Sequence, residues 1–217
     1  LGLDKIKKMS YFNLEWIKEY VKKDNPIIFD VGAFNFDDSI KFKMTYPESD
    51  VYAFEAFYEN IKQYSHKAKN YGVKVYDVAL SDKNGETKFY NSEDWNGNKW
   101  TCSGSILKPS KKEGKEIHIG LNYNRDGVTV KTTTLKSFCE LNNINEIDVI
   151  HMDVQGAEYY VLKGLGDKLK PKIIFCETCE YEAYEDSLSL EDLDNLLFDL
   201  GYEIKERLIY DTLYILK

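Results

Sequence analysis

The 217-residue chain predicts an α/β fold: a doubly wound, mostly parallel sheet with helices on both faces and an antiparallel C-terminal edge. Three observations carry this. Short apolar runs of the buried-strand type alternate with segments of helical spacing. Four of the runs end on an acid, at Asp30, Glu55, Asp153 and Glu177. The last two strand-like runs follow one another with no helix between them, as an antiparallel pair does.

Residues 13–23 place Leu14, Ile17, Tyr20 and Val21 at helical spacing with Asn13 as N-cap, which predicts a covering helix over about 10–24. Ile27-Ile28-Phe29 is a buried strand running into the turn Asp30-Val31-Gly32. A helix through Ser39–Met44 follows, then a strand Val51–Phe54 ending on Glu55, a helix over Tyr58–Lys69, and a strand over Val73–Leu80. Asn84-Gly85 predicts a hairpin joining Val78-Ala79-Leu80 to Thr87–Tyr90. From Asn91 to Gly127 periodicity gives way to Asn, Ser, Gly and Lys with two Trp, a loop long enough to be functional. Strands are then expected at Val128–Thr132, Ile147–Asp153 and Lys172–Cys176, with helices at Leu135–Leu141 and Ala157–Leu162 between them. Leu190, Leu193, Leu196, Leu197 and Leu200 mark a helix that Gly201 stops, and strands near 202–208 and 212–216 close the chain.

Length suits one domain, 1–217, and a start without Met suits a piece of a longer protein. With 29 Lys and Arg against 37 Asp and Glu the net charge is −8, which disfavours DNA and RNA as partners. No apolar run approaches the roughly 20 residues of a membrane-spanning helix and no secretory signal opens the chain, so a soluble, cytoplasmic protein is expected. Four cysteines are too few for a disulfide scaffold; Cys176 and Cys179 form a lone C-x-x-C whose plain explanation is a buried strand end.

In such a sheet ligands sit beyond the carboxyl ends of the strands, at the point where strand order reverses. The segment Asp30-Val31-Gly32-Ala33-Phe34-Asn35-Phe36 has one glycine, so it is neither a G-x-G-x-x-G loop nor a P-loop, and phosphate cradling is not expected. Glu55 follows Asp30 by 25 residues at the next strand end, where an ionised carboxylate can accept from both hydroxyls of a ribose diol. A solvated helix-start acid is the competing explanation.

Taken together, several stretches resemble the FkbM family of S-adenosylmethionine-dependent methyltransferases over roughly residues 27–180. They are Asp30-Val31-Gly32-Ala33-Phe34 with Ser39; Ala53-Phe54-Glu55-Ala56 with Asn60; Val78-Ala79-Leu80-Ser81-Asp82 with Gly85; and Ser103-Gly104-Ser105. Thr133-Thr134-Leu135, then Asp153-Val154-Gln155-Gly156-Ala157-Glu158 with Leu162-Lys163-Gly164, and Phe175-Cys176-Glu177 complete the order. The chain departs from the family pattern at Phe36, in place of a second loop glycine, and at Ala56, in place of Pro. It departs again at His151, in place of Lys, and at Gln155, in place of Glu.

The resemblance implies a Rossmann-like class I methyltransferase fold with a seven-stranded sheet. It implies Asp30, Gly32 and Ala33, with Asn35, at the methionine end of S-adenosylmethionine. Glu55 and Ala56 would lie at the ribose, and Asp77, Val78, Ala79 and Ser81 at the adenine. Methyl transfer needs collinear acceptor, methyl and sulfur, and a group to take the hydroxyl proton. Asp153 and His151, two residues apart on one strand face, are the expected base and orienting partner, with Glu177 on the acceptor hydroxyls. A structural His151, an Asp153 that caps the following helix and a Glu158 that complements the helix dipole are the competing roles. If Mg²⁺ or Mn²⁺ takes part, Asp153 and Glu177 are its candidate ligands.

The family's acceptors imply O-methylation of a sugar. Trp95, Trp100 and Tyr123 in the long loop would suit stacking on sugar faces, unless those aromatics are folded into the core. The expected acceptor is a deoxyhexose such as rhamnose in a glycan or nucleotide-linked precursor, with a glycosyltransferase as fused or associated partner. RNA ribose or small-molecule O-methylation, and a non-catalytic glycan-binding or assembly domain, are the alternatives.

Overall fold

A computed structural model describes residues 11–94, 101–110, 121–178 and 184–217. Twelve strands are assigned among them: β1 (Ile27–Val31), β2 (Asp50–Glu55), β3 (Lys74–Asp77), β4 (Ala79–Leu80), β5 (Gly85–Phe89), β6 (Ser92–Asp94), β7 (Leu121–Tyr123), β8 (Val128–Thr133), β9 (Val149–Met152), β10 (Ile173–Glu177), β11 (Tyr202–Arg207) and β12 (Asp211–Leu216). The α-helices are α1 (Asp37–Thr45), α2 (Tyr58–Asn70), α3 (Leu135–Leu141), α4 (Glu158–Lys163) and α5 (Leu190–Asp199).

Seven strands form the main sheet in the order β3-β2-β1-β9-β10-β12-β11. All neighbours are parallel except at β12, which runs antiparallel to β10 and β11, so the predicted edge is present. Strand alternation divides the core between two faces. Phe29 and Val31 of β1 pack with Phe138 of α3, Val161 and Leu162 of α4, and Leu193 and Leu197 of α5. Ile28, one residue out of phase, packs with Ile40 and Phe42 of α1, Ala68 of α2 and the N-terminal Phe12, Trp16 and Ile17. Helix starts follow side-chain chemistry: Thr134 accepts from Ser137 N–H, and Ser189 with Asp192 forms a capping box at α5.

Four elements differ from the sequence expectation. The covering helix is one π-helical turn, Ile17–Val21, because Lys22 (φ 59°) turns left-handed and donates its N–H back to Ile17 O. The strand expected over Val73–Leu80 breaks at Val78, whose N–H donates to Glu55 O; β4 then leaves the main sheet and pairs parallel with β8. Asn84-Gly85 does not join adjacent strands, because β8 lies between β4 and β5. Asn84 secures that insertion: its Oδ1 accepts from Thr134 N–H (3.0 Å) and the Thr133 hydroxyl, and its Nδ2 donates to Ser137 Oγ. Within 91–127, β6 and β7 pair and Tyr90 bridges to Ser105, where only a loop was expected.

Candidate active site

Strand order reverses between β1 and β9, and two clefts open over the carboxyl ends of the strands flanking that point. One is walled by Gly32, Glu55, Ala56, Val78 and Ala79 from the strand ends and by Phe34, Phe89, Cys102, Ser105 and Ile106 opposite. The other, of about 500 Å³, is walled by Tyr11, Phe12, Asp38, His151, Phe175, Glu177, Tyr210 and Asp211. Among the described residues Asp153 is the one lining residue common to both.

The Gly32 turn (φ 83°) explains why the clefts meet there. A Cβ on Gly32 would stand 1.9 Å from the carbonyl O of Asp153, so glycine is what lets the end of β9 close against the β1 turn. Four of the turn's amides are paired within the fold. Gly32 and Ala33 both donate to Phe54 O at 3.0 Å, Phe34 donates to Glu55 Oε2 at 2.9 Å, and Phe36 donates to Ala33 O. Phe36, in the left-handed region (φ 64°), is fully buried and fills the α1 side of the core where the family pattern has glycine.

Glu55 is buried, with Oε2 accepting from Phe34 and Oε1 from Phe57 N–H (2.7 Å). Burial raises its pKa, the amide bonds lower it, and it ends at about 7. Glu55, Gly32, Ala56, Val78 and Ala79 line the first cleft; Asp30, Ala33, Asn35, Asp77 and Ser81 stand outside its walls. Asp30 lies beneath it, with Oδ1 on His151 Nδ1 (2.8 Å) and Oδ2 accepting the Ser39 hydroxyl. Ala33 is buried in the α1-face core, and Asn35 Oδ1 takes the N–H of Asp37 at the start of α1. Asp77 is exposed at the end of β3, and Ser81 is buried with its N–H on Thr133 O. Cys102 and Ile106 flank the Ser103-Gly104-Ser105 stretch and Ser105 belongs to it, which was the available signal for that wall.

In the second cleft the expected pairing of His151 with Asp153 is corrected. The side-chain partner of His151 is Asp30, opposite it in the β1–β9 register, and that of Asp153 is Gln155. His151 sits among Phe12, Phe42 and Phe175, stacked on the last at 7°. Burial lowers its pKa, but the Asp30 hydrogen bond and charge, helped by Asp38 and Asp153, raise it overall to about 8. At neutral pH it is therefore a cation rather than a base.

Gln155 Nε2 donates to Asp153 Oδ1 and to Glu177 Oε2, both at 2.7 Å. Burial, then the charges of Asp153, Glu158 and Asp211, push the Glu177 pKa well above the carboxylate range. Glu158 is raised to about 8, first by burial and then by Asp153, while its Oε1 accepts from Val154 N–H. An Asp153–Glu177 metal site does not fit these residues, because one oxygen of each acid already accepts from the Gln155 amide and the two side chains are hydrogen-bonded to each other. Among the described residues no three His, Cys, Asp or Glu side chains converge to hold a metal ion.

Of the aromatics expected at the acceptor, Trp95 and Trp100 lie outside the described residues, and so does Cys179. Tyr123 packs edge-on against Tyr184 away from the cleft. The aromatics at the second cleft are Phe175, which the Phe175-Cys176-Glu177 motif marked, and Tyr11, Phe12 and Tyr210, from segments outside the strands where no motif marked them. Cys176 is a fully buried strand end. No described helix is long and apolar enough to cross a membrane.

The family model for the methyltransferase FkbM domain matches residues 30–204. The 2-O-methyltransferase NoeI of Sinorhizobium fredii (strain NBRC 101917 / NGR234) is 30% identical over 188 residues, 83% of this chain and 74% of that protein. Among solved structures, the precorrin-6y C5,15-methyltransferase of Geobacter metallireducens GS-15 aligns with a TM-score of 0.47 at 13% identity, over 92% of this chain and 82% of that one. The O-methyltransferase of a trans-AT PKS multienzyme from Brevibacillus brevis, in complex with S-adenosyl-L-homocysteine, aligns with a TM-score of 0.42 at 11% identity, over 83% and 48%.

Proposed function

The chain belongs to the FkbM family of methyltransferases and is an S-adenosylmethionine-dependent O-methyltransferase; we propose that its acceptor is a sugar hydroxyl, on a deoxyhexose such as rhamnose in a glycan or nucleotide-linked precursor. The observation that carries the assignment of roles is Asp153, the residue shared by the two clefts. The donor cleft fits the methyl donor by chemistry. Its apolar wall of Phe54, Val78, Leu80, Phe89 and Ile106 suits a purine, and the buried Glu55 carboxylate, an acceptor only when ionised, suits a ribose diol. S-adenosylmethionine supplies a methyl group on a sulfonium.

The acceptor cleft supports a sugar through its mixture of groups. Tyr11 and Tyr210 expose ring faces, and Asp38, Asp153, Glu177 and Asp211 offer oxygens to hydroxyls. Glu177 is neutral, but the carboxylates of Asp38, Asp153 and Asp211 outnumber the single His151 cation and repel a phosphodiester, which argues against an RNA acceptor. Asp153 takes the hydroxyl proton as the new O–C bond forms, Glu177 in its neutral form donates to the acceptor, and the His151 cation is held off that role by Asp30. Positioning at the junction supplies most of the rate.

The test is methyl transfer from labelled S-adenosylmethionine to a panel of rhamnosyl and other deoxyhexosyl glycans, read by mass. A one-methyl gain on a deoxyhexose supports the proposal. Transfer confined to a phosphorylated or RNA acceptor overturns the sugar assignment.

A further inference from the structure

Gln155 carries two costs that its packing does not explain. Its backbone is left-handed (φ 54°) without being glycine, and its Oε1 is buried with no hydrogen-bond partner. Both follow from one requirement: only that turn and that amide orientation deliver both Nε2 hydrogens to Asp153 and Glu177. The side chain is 5% exposed, so water does not share the task. Asp153 and Glu177 are brought together beside a third acid, Glu158, and crowding and burial keep Glu177 neutral and hydrogen-bonded to Asp153; the Gln155 amide gives each of the two a further donor. Methionine would fill the same volume and a carboxylate would raise the repulsion; an amide alone bridges the pair while adding no charge.

We propose that Gln155 is a positioning residue whose amide stands in the bridging position between Asp153 and Glu177, presenting Asp153 to the acceptor hydroxyl as a base in a metal-independent transfer. The inference rests on the acceptor role given to the second cleft. In the transfer the acceptor O–H proton passes to the Asp153 carboxylate while the acceptor oxygen's electron pair forms the bond to the methyl carbon. The C–S electron pair stays on sulfur, leaving S-adenosylhomocysteine neutral at that atom. Gln155 exchanges no proton; its two donated bonds fix which Asp153 oxygen faces the cleft.

The experiment compares the parent with Gln155→Met and Gln155→Glu. Calorimetry with Mn²⁺ on protein free of methyl donor is expected to show no binding to the parent and binding to Gln155→Glu, where a third carboxylate replaces the donor. Gln155→Met is expected to bind S-adenosylhomocysteine within about threefold of the parent while kcat falls about 100-fold. Micromolar Mn²⁺ binding by the parent, or loss of parent activity in EDTA, overturns the proposal without needing any variant to fold. A Gln155→Met enzyme with a lower melting temperature but kcat within about threefold of the parent assigns the residue a structural role and also overturns it. If the donor or acceptor assignment itself were wrong, S-adenosylhomocysteine binding or sugar methylation would fail in the parent, before any variant is compared.

Discussion

Replacing Gly32 by alanine separates the geometry of the site from the stability of the fold. A Cβ there meets Asp153 O at 1.9 Å and Asp153 C at 2.8 Å, where ordinary contact begins at 3.4 Å. The end of β9 must therefore retreat by about 1.5 Å, the gap between contact and overlap. Alanine at φ +83° costs about 1–2 kcal/mol, and stretching the Asp153 N–H bond to Val31 O costs about 1 more. For a domain of this size that lowers the melting temperature by roughly 4–12 °C. The larger effect falls on catalysis, because a displacement of about 1 Å at the reacting groups costs about 100-fold. Gly72→Ala is the control: it has the same backbone sign (φ +82°) but its new Cβ meets only Lys43 Cε, at 3.5 Å. Thermal melts followed by circular dichroism and steady-state kcat should show both variants destabilised and only Gly32→Ala inactivated. A Gly32→Ala enzyme with kcat within about twofold of Gly72→Ala would refute the argument that this contact builds the junction.

Two further predictions concern charge. Because Glu55 is raised to about 7 and accepts from the ribose only when ionised, S-adenosylhomocysteine affinity measured by calorimetry should rise between about pH 6 and pH 8 and level off above. Glu55→Gln should flatten that profile at weak affinity. The His151 pKa is raised in the folded state from 6.5 to about 8, so the Asp30–His151 pair contributes fully below pH 6.5 and is lost as pH rises through 8. Urea unfolding of the parent should lose about 2 kcal/mol across that window, and Asp30→Asn should remove the dependence.

Much of the sheet could be read from the residues. Buried parallel strands such as Ile27-Ile28-Phe29 and Ile173-Ile174-Phe175 are apolar on both faces, and helix ends such as Ser189 carry local capping chemistry, so neither needs tertiary information. The small sheet was hidden because its pairing is non-local. Asn84-Gly85 carries a hairpin signal, yet the Asn84 side chain reaches across to Thr133, Thr134 and Ser137, about 50 residues on, and admits β8. The donor cleft was half legible: Gly32, Glu55, Val78 and Ala79 follow from strand ends, while Asp30, two residues before Gly32, does not line it and is held instead by His151 and Ser39. Gln155 showed in sequence only as a departure from the family pattern, because what it does depends on Glu177, 22 residues away.

The central claim is that Asp153 joins the donor and acceptor clefts and takes the acceptor proton. Asp153→Asn tests it most directly, since the amide keeps the side chain's size and removes its basicity. The account predicts S-adenosylhomocysteine binding within about threefold of the parent by calorimetry, with methyl transfer reduced by about 100-fold or more at every pH measured. Turnover retained within about threefold, with binding unchanged, would contradict it.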